Sequence, residues 1–227
     1  MSLSGCGGRR RETHVQPPPP PAIQPTEVPP LERTEPAEPT PENIKPLYVE
    51  VGLASWYGAP YHNRRAANGE IYNMNALTAA HRTLPLNSIV RVTNLKTGST
   101  ATVRITDRGP FVEDRIIDLS VAAAKALDVW RPGTAKVKLE VMEAPAPINR
   151  GGRWAVQFGG FEREGDARIV QERLEHRYRT AKVLAFSSPV GDWWVRIRVM
   201  NDDKGRAEEV AHNSPAPPEQ TFLVRLD

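Results

Sequence analysis

The 227-residue chain has a single cysteine, Cys6, so no disulfide can staple a small fold. It also has no apolar run approaching the ~18 residues that span a bilayer, which excludes a transmembrane helix. An excess of one charge is missing too. Thirty Lys and Arg face 27 Asp and Glu, for a formal net charge of +3. The basic residues are interleaved with acidic ones rather than gathered in a stripe, so no nucleic-acid partner is expected. The five histidines are scattered and there is no cysteine cluster, so neither a metal centre nor a cofactor is expected.

Proline is abundant but unevenly placed. Twelve of the 22 prolines fall between Pro17 and Pro46, among glutamate and threonine, with five in a row from Pro17 to Pro21. A stretch with so little to bury cannot offset its ordering entropy, and residues 1–50 are expected to be a disordered or semi-extended tether. At ~3.1 Å per residue in polyproline II it could reach on the order of 100 Å. About 180 residues remain to fold, enough for two small domains. Just ahead of the tether, Leu3-Ser4-Gly5-Cys6 resembles the lipobox of bacterial lipoprotein precursors, which implies a lipid on the Cys6 thiol; an incidental cysteine in a tail is the plainer alternative.

Residues 51–143 read as short strands split by turn signals, a barrel or sandwich pattern. Strands are predicted over 53–57, 75–79, 88–94, 100–106 and 136–141. Thr97-Gly98 marks a hairpin turn, Ser120 caps a helix over 121–127, and a helical turn is predicted near 80–82. Residues 144–152, with two prolines and two adjacent glycines, read as a linker. Over 153–227 the order is strand, helix, strand, strand, helix, strand, two βαβ units that fold together into a ferredoxin-like sheet with helices on one face. There Asp166 is the expected cap of a helix to about residue 178, with Ile169, Val170 and Leu174 on its apolar face.

Several stretches resemble the rare lipoprotein A group of septal-ring lytic transglycosylases. They are Ala54-Ser55-Trp56-Tyr57-Gly58, Ala67-Asn68-Gly69-Glu70, the run from Ala76 to His81, Val90-Arg91-Val92-Thr93-Asn94, Thr106-Asp107-Arg108-Gly109-Pro110-Phe111, and Ile116-Ile117-Asp118-Leu119-Ser120. The resemblance implies a double-psi β-barrel with a sugar-binding groove, in which Asp107 leads as acid/base with Glu70 and His81 beside it. It also implies substrate contacts from Tyr57, Arg108 and Asp118. Asn73 departs from the aspartate that relatives often carry. The C-terminal segment resembles a sporulation-related repeat (SPOR domain), which binds glycans stripped of stem peptides, through the runs from Trp154 to Phe161 and from Trp194 to Val199. It departs in having Asn201-Asp202-Asp203 where a Gly-Pro-aromatic turn is common.

Each site residue has a plainer reading. Asp107 could open a turn by bonding its own backbone. Glu70 could be a solvated turn residue, His81 a hydrogen-bonded structural histidine, and Asp118 a charge near a helix start. Strand alternation puts Gln157, Trp194, Arg196 and Arg198 on the face away from the helices, open to a glycan, unless Trp194 packs under a loop.

The reading as a whole is an enzyme, an endolytic peptidoglycan lytic transglycosylase. It would cleave naked glycan strands to 1,6-anhydromuramyl products at the septum, lipid-anchored to the outer membrane through Cys6 and facing the periplasm, with cell-wall amidases supplying denuded glycans. The alternative is a septal lipoprotein that binds peptidoglycan without cleaving it, since activity does not follow from fold.

Overall fold

Alternating apolar residues over 48–143 build six strands: β1 (Tyr48–Trp56), β2 (Thr78–Ala80), β3 (Ile89–Asn94), β4 (Thr100–Asp107), β5 (Arg115–Leu119) and β6 (Ala135–Glu143). In the computed structural model, which describes residues 45–214 and 216–227, these strands close into a barrel in the order β1-β5-β2-β4-β3-β6. Cys6 and nearly all of the proline-rich segment lie outside the described residues. The β1–β5 and β2–β4 pairs run parallel and the rest antiparallel, a mixed closed barrel consistent with the double-psi form. Branched residues at every second position fill it: Val90 and Val92, Val103 and Ile105, Ile117 and Leu119, Val137, Leu139 and Val141 are all buried.

Local chemistry accounts for the connections. Between β3 and β4, Asn94 Oδ1 accepts from the backbone N–H of Lys96 at 2.9 Å and Gly98 takes a positive φ of 78°, so the strands turn back as expected. Helix α1 (Val121–Ala126) starts at Ser120, whose Oγ accepts from Ala123 N–H at 3.1 Å. Two elements differ from expectation. The sequence reading had no strand at β5, which is short and gains its partners from β1 and β2, far away in sequence. The predicted turn near 80–82 instead begins in strand β2, because Ala80 pairs with Asp107 and Asp118.

After residues 144–153 the chain forms a second sheet. β7 (Trp154–Phe161), β8 (Lys182–Ser187), β9 (Trp193–Arg198) and β10 (Thr221–Arg225) run antiparallel in the order β10-β7-β9-β8, with α2 (Glu164–Arg177) after β7 and α3 (Lys204–His212) after β9. The helices cover the face carrying Val156, Phe158, Val195 and Ile197. α2 starts earlier than predicted: Asp166 is not its cap but lies in its first turn, paired with Arg163 at 3.1 Å. The buried residues of α2 are Ala167 and Leu174, whereas Ile169 is exposed. The Asn201-Asp202-Asp203 turn has its own chemistry. Asp202 accepts two bonds from Arg198, at 3.0 and 2.6 Å, and Asp203 caps α3 through Arg206 N–H at 2.8 Å. Among the described residues no helix is long and apolar enough to cross a membrane.

The second face of this sheet is covered in part, with Leu184 and Arg198 on it still reaching solvent. It carries Trp194, Phe222 and Val224, which pack on Phe111 of the barrel. Phe111 lies 5.3 Å from Trp194 and 5.7 Å from Phe222, centroid to centroid. Backbone bonds join the same surfaces: Arg225 N–H donates to Arg82 O at 3.0 Å, and Leu86 N–H to Asp227 O at 3.1 Å. An aromatic face has a strong drive to leave water, and the barrel loop after β4 is where it does so.

Candidate active site

Asp107 is the last residue of β4, placed by the Ala80 pairing at the end of β2. Its Oδ1 accepts the backbone N–H of Ala67 at 3.1 Å and of Arg108 at 2.8 Å. Burial pushes its carboxyl above the usual aspartate range. The two backbone donors and the guanidinium charges of Arg108 and Arg196 work against this shift without cancelling it. Since both N–H groups reach Oδ1, Oδ2 is the oxygen suited to carry a transferable proton.

Asp107 lines a cavity of about 540 Å³. From the barrel come Tyr57, Tyr61, Tyr72, Phe111 and Asp118, and from the second sheet Gln157, Phe186, Trp194 and Arg196. Tyr57 stacks on Tyr72 with centroids 4.4 Å apart and meets Tyr61 edge-on at 5.7 Å. The Tyr72 hydroxyl, donating to Tyr57 O at 2.9 Å, is pushed up to about 12 by burial. Asp118 is a second half-buried carboxyl, its pKa raised by partial burial against the Arg115 charge and a bond from Ser55 Oγ. The sequence reading gave Asp118 a lesser role than Glu70, yet Asp118 is the acid that shares the cavity with Asp107.

The other two expected catalytic residues do not line this cavity. Glu70 is exposed and bound through both oxygens to Arg104, at 2.8 and 2.7 Å. That bidentate bond outweighs a small burial effect and holds Glu70 below the usual glutamate range, so it stays ionised. His81 is 4% exposed. Its Nδ1 accepts from the backbone N–H of Thr83 and Leu84, at 3.2 and 3.1 Å, which leaves Nε2 to donate to Glu50 at 3.2 Å. Burial pulls His81 below the usual histidine range despite Glu50, so the neutral imidazole acts as a structural clasp.

The expected substrate contacts divide in the same way. Tyr57, Asp118, Gln157, Trp194 and Arg196 line the cavity, although Gln157 and Trp194 are only 1% and 8% exposed and not on an open face. Arg108 lines it too, but its guanidinium is committed to three carbonyls: Nη1 to His81 O and Leu84 O, at 3.0 and 2.8 Å, and Nη2 to Asp227 O at 2.7 Å. Burial pulls its pKa down to about 10. Arg198 is turned to Asp202 and lies outside the cavity lining. Sequence reasoning missed Tyr61, Tyr72 and Phe111. The available signal was the recurrence of aromatics, Tyr57, Tyr61 and Tyr72, across one glycine- and asparagine-rich loop.

A closed barrel with a half-buried acid in the wall of an aromatic-lined cavity is a scaffold for acid-assisted chemistry on a sugar. Residues 49–139 match the lytic transglycolase family. That match runs from β1 into β6, takes in Tyr57, Asp107 and Asp118, and ends before the second sheet. The chain is 42% identical over 153 residues to the endolytic peptidoglycan transglycosylase RlpA of Campylobacter jejuni, covering 57% of this chain and 55% of the relative. It is 56% identical over 100 residues to the protein of that name from Pseudomonas aeruginosa, covering 44% and 29%. With the Neisseria meningitidis protein of the same name it shares 46% over 136 residues, covering 58% and 57%. The chain thus spans about half the length of the first curated relatives it matches.

Proposed function

We propose that this chain is a peptidoglycan lytic transglycosylase that uses Asp107 as its acid and base. The observation that carries this reading is a half-buried carboxyl of raised pKa in an aromatic-lined cavity, within the lytic transglycolase match. In the reaction, Asp107 gives its proton to the glycosidic oxygen as the bond from the anomeric carbon breaks. The C6 hydroxyl of the same muramyl residue attacks that carbon and returns its proton to Asp107. No water enters, and the products are a free 4-hydroxyl and a 1,6-anhydro end. In this reading Asp118, which accepts from Ser55 Oγ and pairs with Arg115 in the same cavity wall, stabilises positive charge at the anomeric centre.

The finer reading is endolytic cleavage of naked glycan strands at the division septum, after amidases remove the stem peptides. Residues 51–143 are then the catalytic double-psi barrel, 153–227 a ferredoxin-like sporulation-related repeat, and 1–50 a tether lipidated at Cys6 on the outer membrane. A glycan binder without cleavage is the second reading, and the placement of Glu70 and His81 away from the cavity favours it. Mass spectrometry of amidase-treated sacculi after incubation decides between them. Anhydro-ended fragments released by the parent, and reduced at least ~10²-fold by Asp107→Asn, are the expected result. Reducing ends would mean hydrolysis, and no release would leave the binder.

A further inference from the structure

We infer that Asp227, beyond the last strand of the second sheet, is a positioning residue for the barrel's acid: it keeps the Arg108 guanidinium on carbonyl oxygens and off the Asp107 carboxylate. The inference rests on Asp107 being the acid of the reading above. Arg108 follows Asp107 in the chain, and its backbone N–H donates to Asp107 Oδ1 at 2.8 Å. A guanidinium tethered next to a carboxylate has a ready alternative partner, a forked pair that would hold the acid ionised. It is instead spread over three carbonyls. The barrel supplies His81 O and Leu84 O to Nη1, and the second module supplies Asp227 O, 2.7 Å from Nη2. Nε is buried without a partner, so these carbonyls carry the whole grip on the side chain.

The third carbonyl is anchored by a side chain. Leu226 N–H donates to Arg153 O at 2.7 Å, and beyond it the Asp227 carboxylate fixes the backbone. Its Oδ1 accepts from Arg153 N–H at 2.6 Å, and Arg225 grips both oxygens, at 3.3 and 3.1 Å. Arg225 is fully buried, and its Nη1 donates to Pro147 O at 2.8 Å. A Cβ on Gly152 would lie 2.6 Å from Arg225 Nε, so the glycine leaves the room that this arginine fills. An arginine sealed from water and forked onto one carboxylate is a rigid anchor. Without it, Nη2 of Arg108 is short of an acceptor in a dehydrated wall, with Asp107 beside it. The other charged groups around Asp107 are already engaged. Arg196 is held by Gln157, Arg115 pairs with Asp118, and Arg64 and Arg65 donate to backbone carbonyls. Asp192, Tyr57, Tyr61 and Tyr72 complete the titratable lining and carry no positive charge. Arg108 is therefore the cation whose distance from the acid depends on Asp227.

The test titrates the Asp107 carboxyl by NMR in the full chain with isotope-labelled aspartate, its resonance assigned by its absence from Asp107→Asn. Asp227→Ala is expected to lower the Asp107 pKa by at least ~1 pH unit, the scale of one cation brought into contact. In an Arg108→Met background the same substitution should leave it unmoved, because the guanidinium that responds is gone. Asp227→Asn, isosteric and neutral, is read in the same way if the alanine variant does not fold. On glycan strands the alkaline limb of cleavage by Asp227→Ala should move down by the same ~1 unit, with the low-pH plateau within about threefold of the parent. A merely structural loss would lower the whole profile. An Asp107 pKa equal to the parent's, or an equal drop in both backgrounds, overturns the inference. If the parent releases no anhydro-ended fragments, the functional reading fails separately, and the carboxyl titration still decides this one.

Discussion

Asp107 and Glu70 are both carboxylic acids in one barrel, and their surroundings drive their proton affinities in opposite directions. For Asp107 the folded state raises the pKa. Between the unfolded and folded values the native protein binds more protons, so stability is greatest below the ordinary aspartate pKa and falls as pH rises through the raised one. Asp107→Asn removes that cost while keeping an acceptor for Ala67 and Arg108 N–H. The variant is expected to be more stable than the parent at pH 7.5 and no more stable at pH 4, by thermal melts at both. On the proposed mechanism the protonated form is the active one, so cleavage by the parent should decline as pH rises past the same raised pKa. Glu70→Gln breaks an exposed ion pair, and its turnover should stay within about threefold of the parent. His81→Ala leaves the N–H groups of Thr83 and Leu84 without their acceptor, and Glu50 with only the Tyr48 hydroxyl. It should lower stability by about 2 kcal/mol, read by denaturant midpoint, with turnover at low temperature nearly retained.

At the scale of single elements, β7 and β9 show how a missing side chain places another. Gly159 pairs with Trp194, and a Cβ built on Gly159 would lie 2.6 Å from Trp194 Cε3 and 2.8 Å from Trp193 O. The indole lies across the strand because nothing projects there, and its ring then meets Phe111 and Phe222. Gly159→Ala must displace Trp194, since the backbone oxygen cannot retreat. A loss of about 1–3 kcal/mol is expected, with red-shifted tryptophan emission as the indole leaves its packing, which intrinsic fluorescence and chemical denaturation will record. Element boundaries follow the same logic. Ser120 and Asp203 cap their helices by bonds three residues long, whereas β5 exists because two distant strands offer it hydrogen bonds.

Across the whole molecule, the contact between barrel and sheet decides what the site is. Phe111 follows Asp107 by four residues, so the loop that carries the acid also carries the aromatic that seats on the second sheet. Phe111→Ala removes two ring contacts worth about 1–2 kcal/mol together and should loosen the sheet from the barrel. Faster proteolysis within residues 144–153, without loss of either module's secondary structure by circular dichroism, is the expected outcome. Unchanged cleavage rates there would mean that the backbone bonds of Arg225 and Leu86 hold the contact without the ring.

Much of the architecture was legible from local signals. Two-residue periodicity located β3, β4 and β6 closely and β1 and β2 in part, the Thr97-Gly98 hairpin and Ser120 cap are properties of a few neighbouring residues, and strand alternation sorted the second sheet into two faces. The motif around Asp107 also stood out in the chain, as did Tyr57 and Asp118. Tertiary structure alone decided which candidates meet. The family resemblance groups Glu70 with Asp107, yet Glu70 is claimed by Arg104, and His81 turns inward to Glu50 because two backbone N–H groups need an acceptor. The face assigned to solvent by alternation is partly buried, because alternation separates two sides of a strand but cannot say what covers each. What covers this one is a barrel loop more than 80 residues earlier in the chain, and only folding brings that loop's acid and the Arg196 guanidinium to the walls of one cavity.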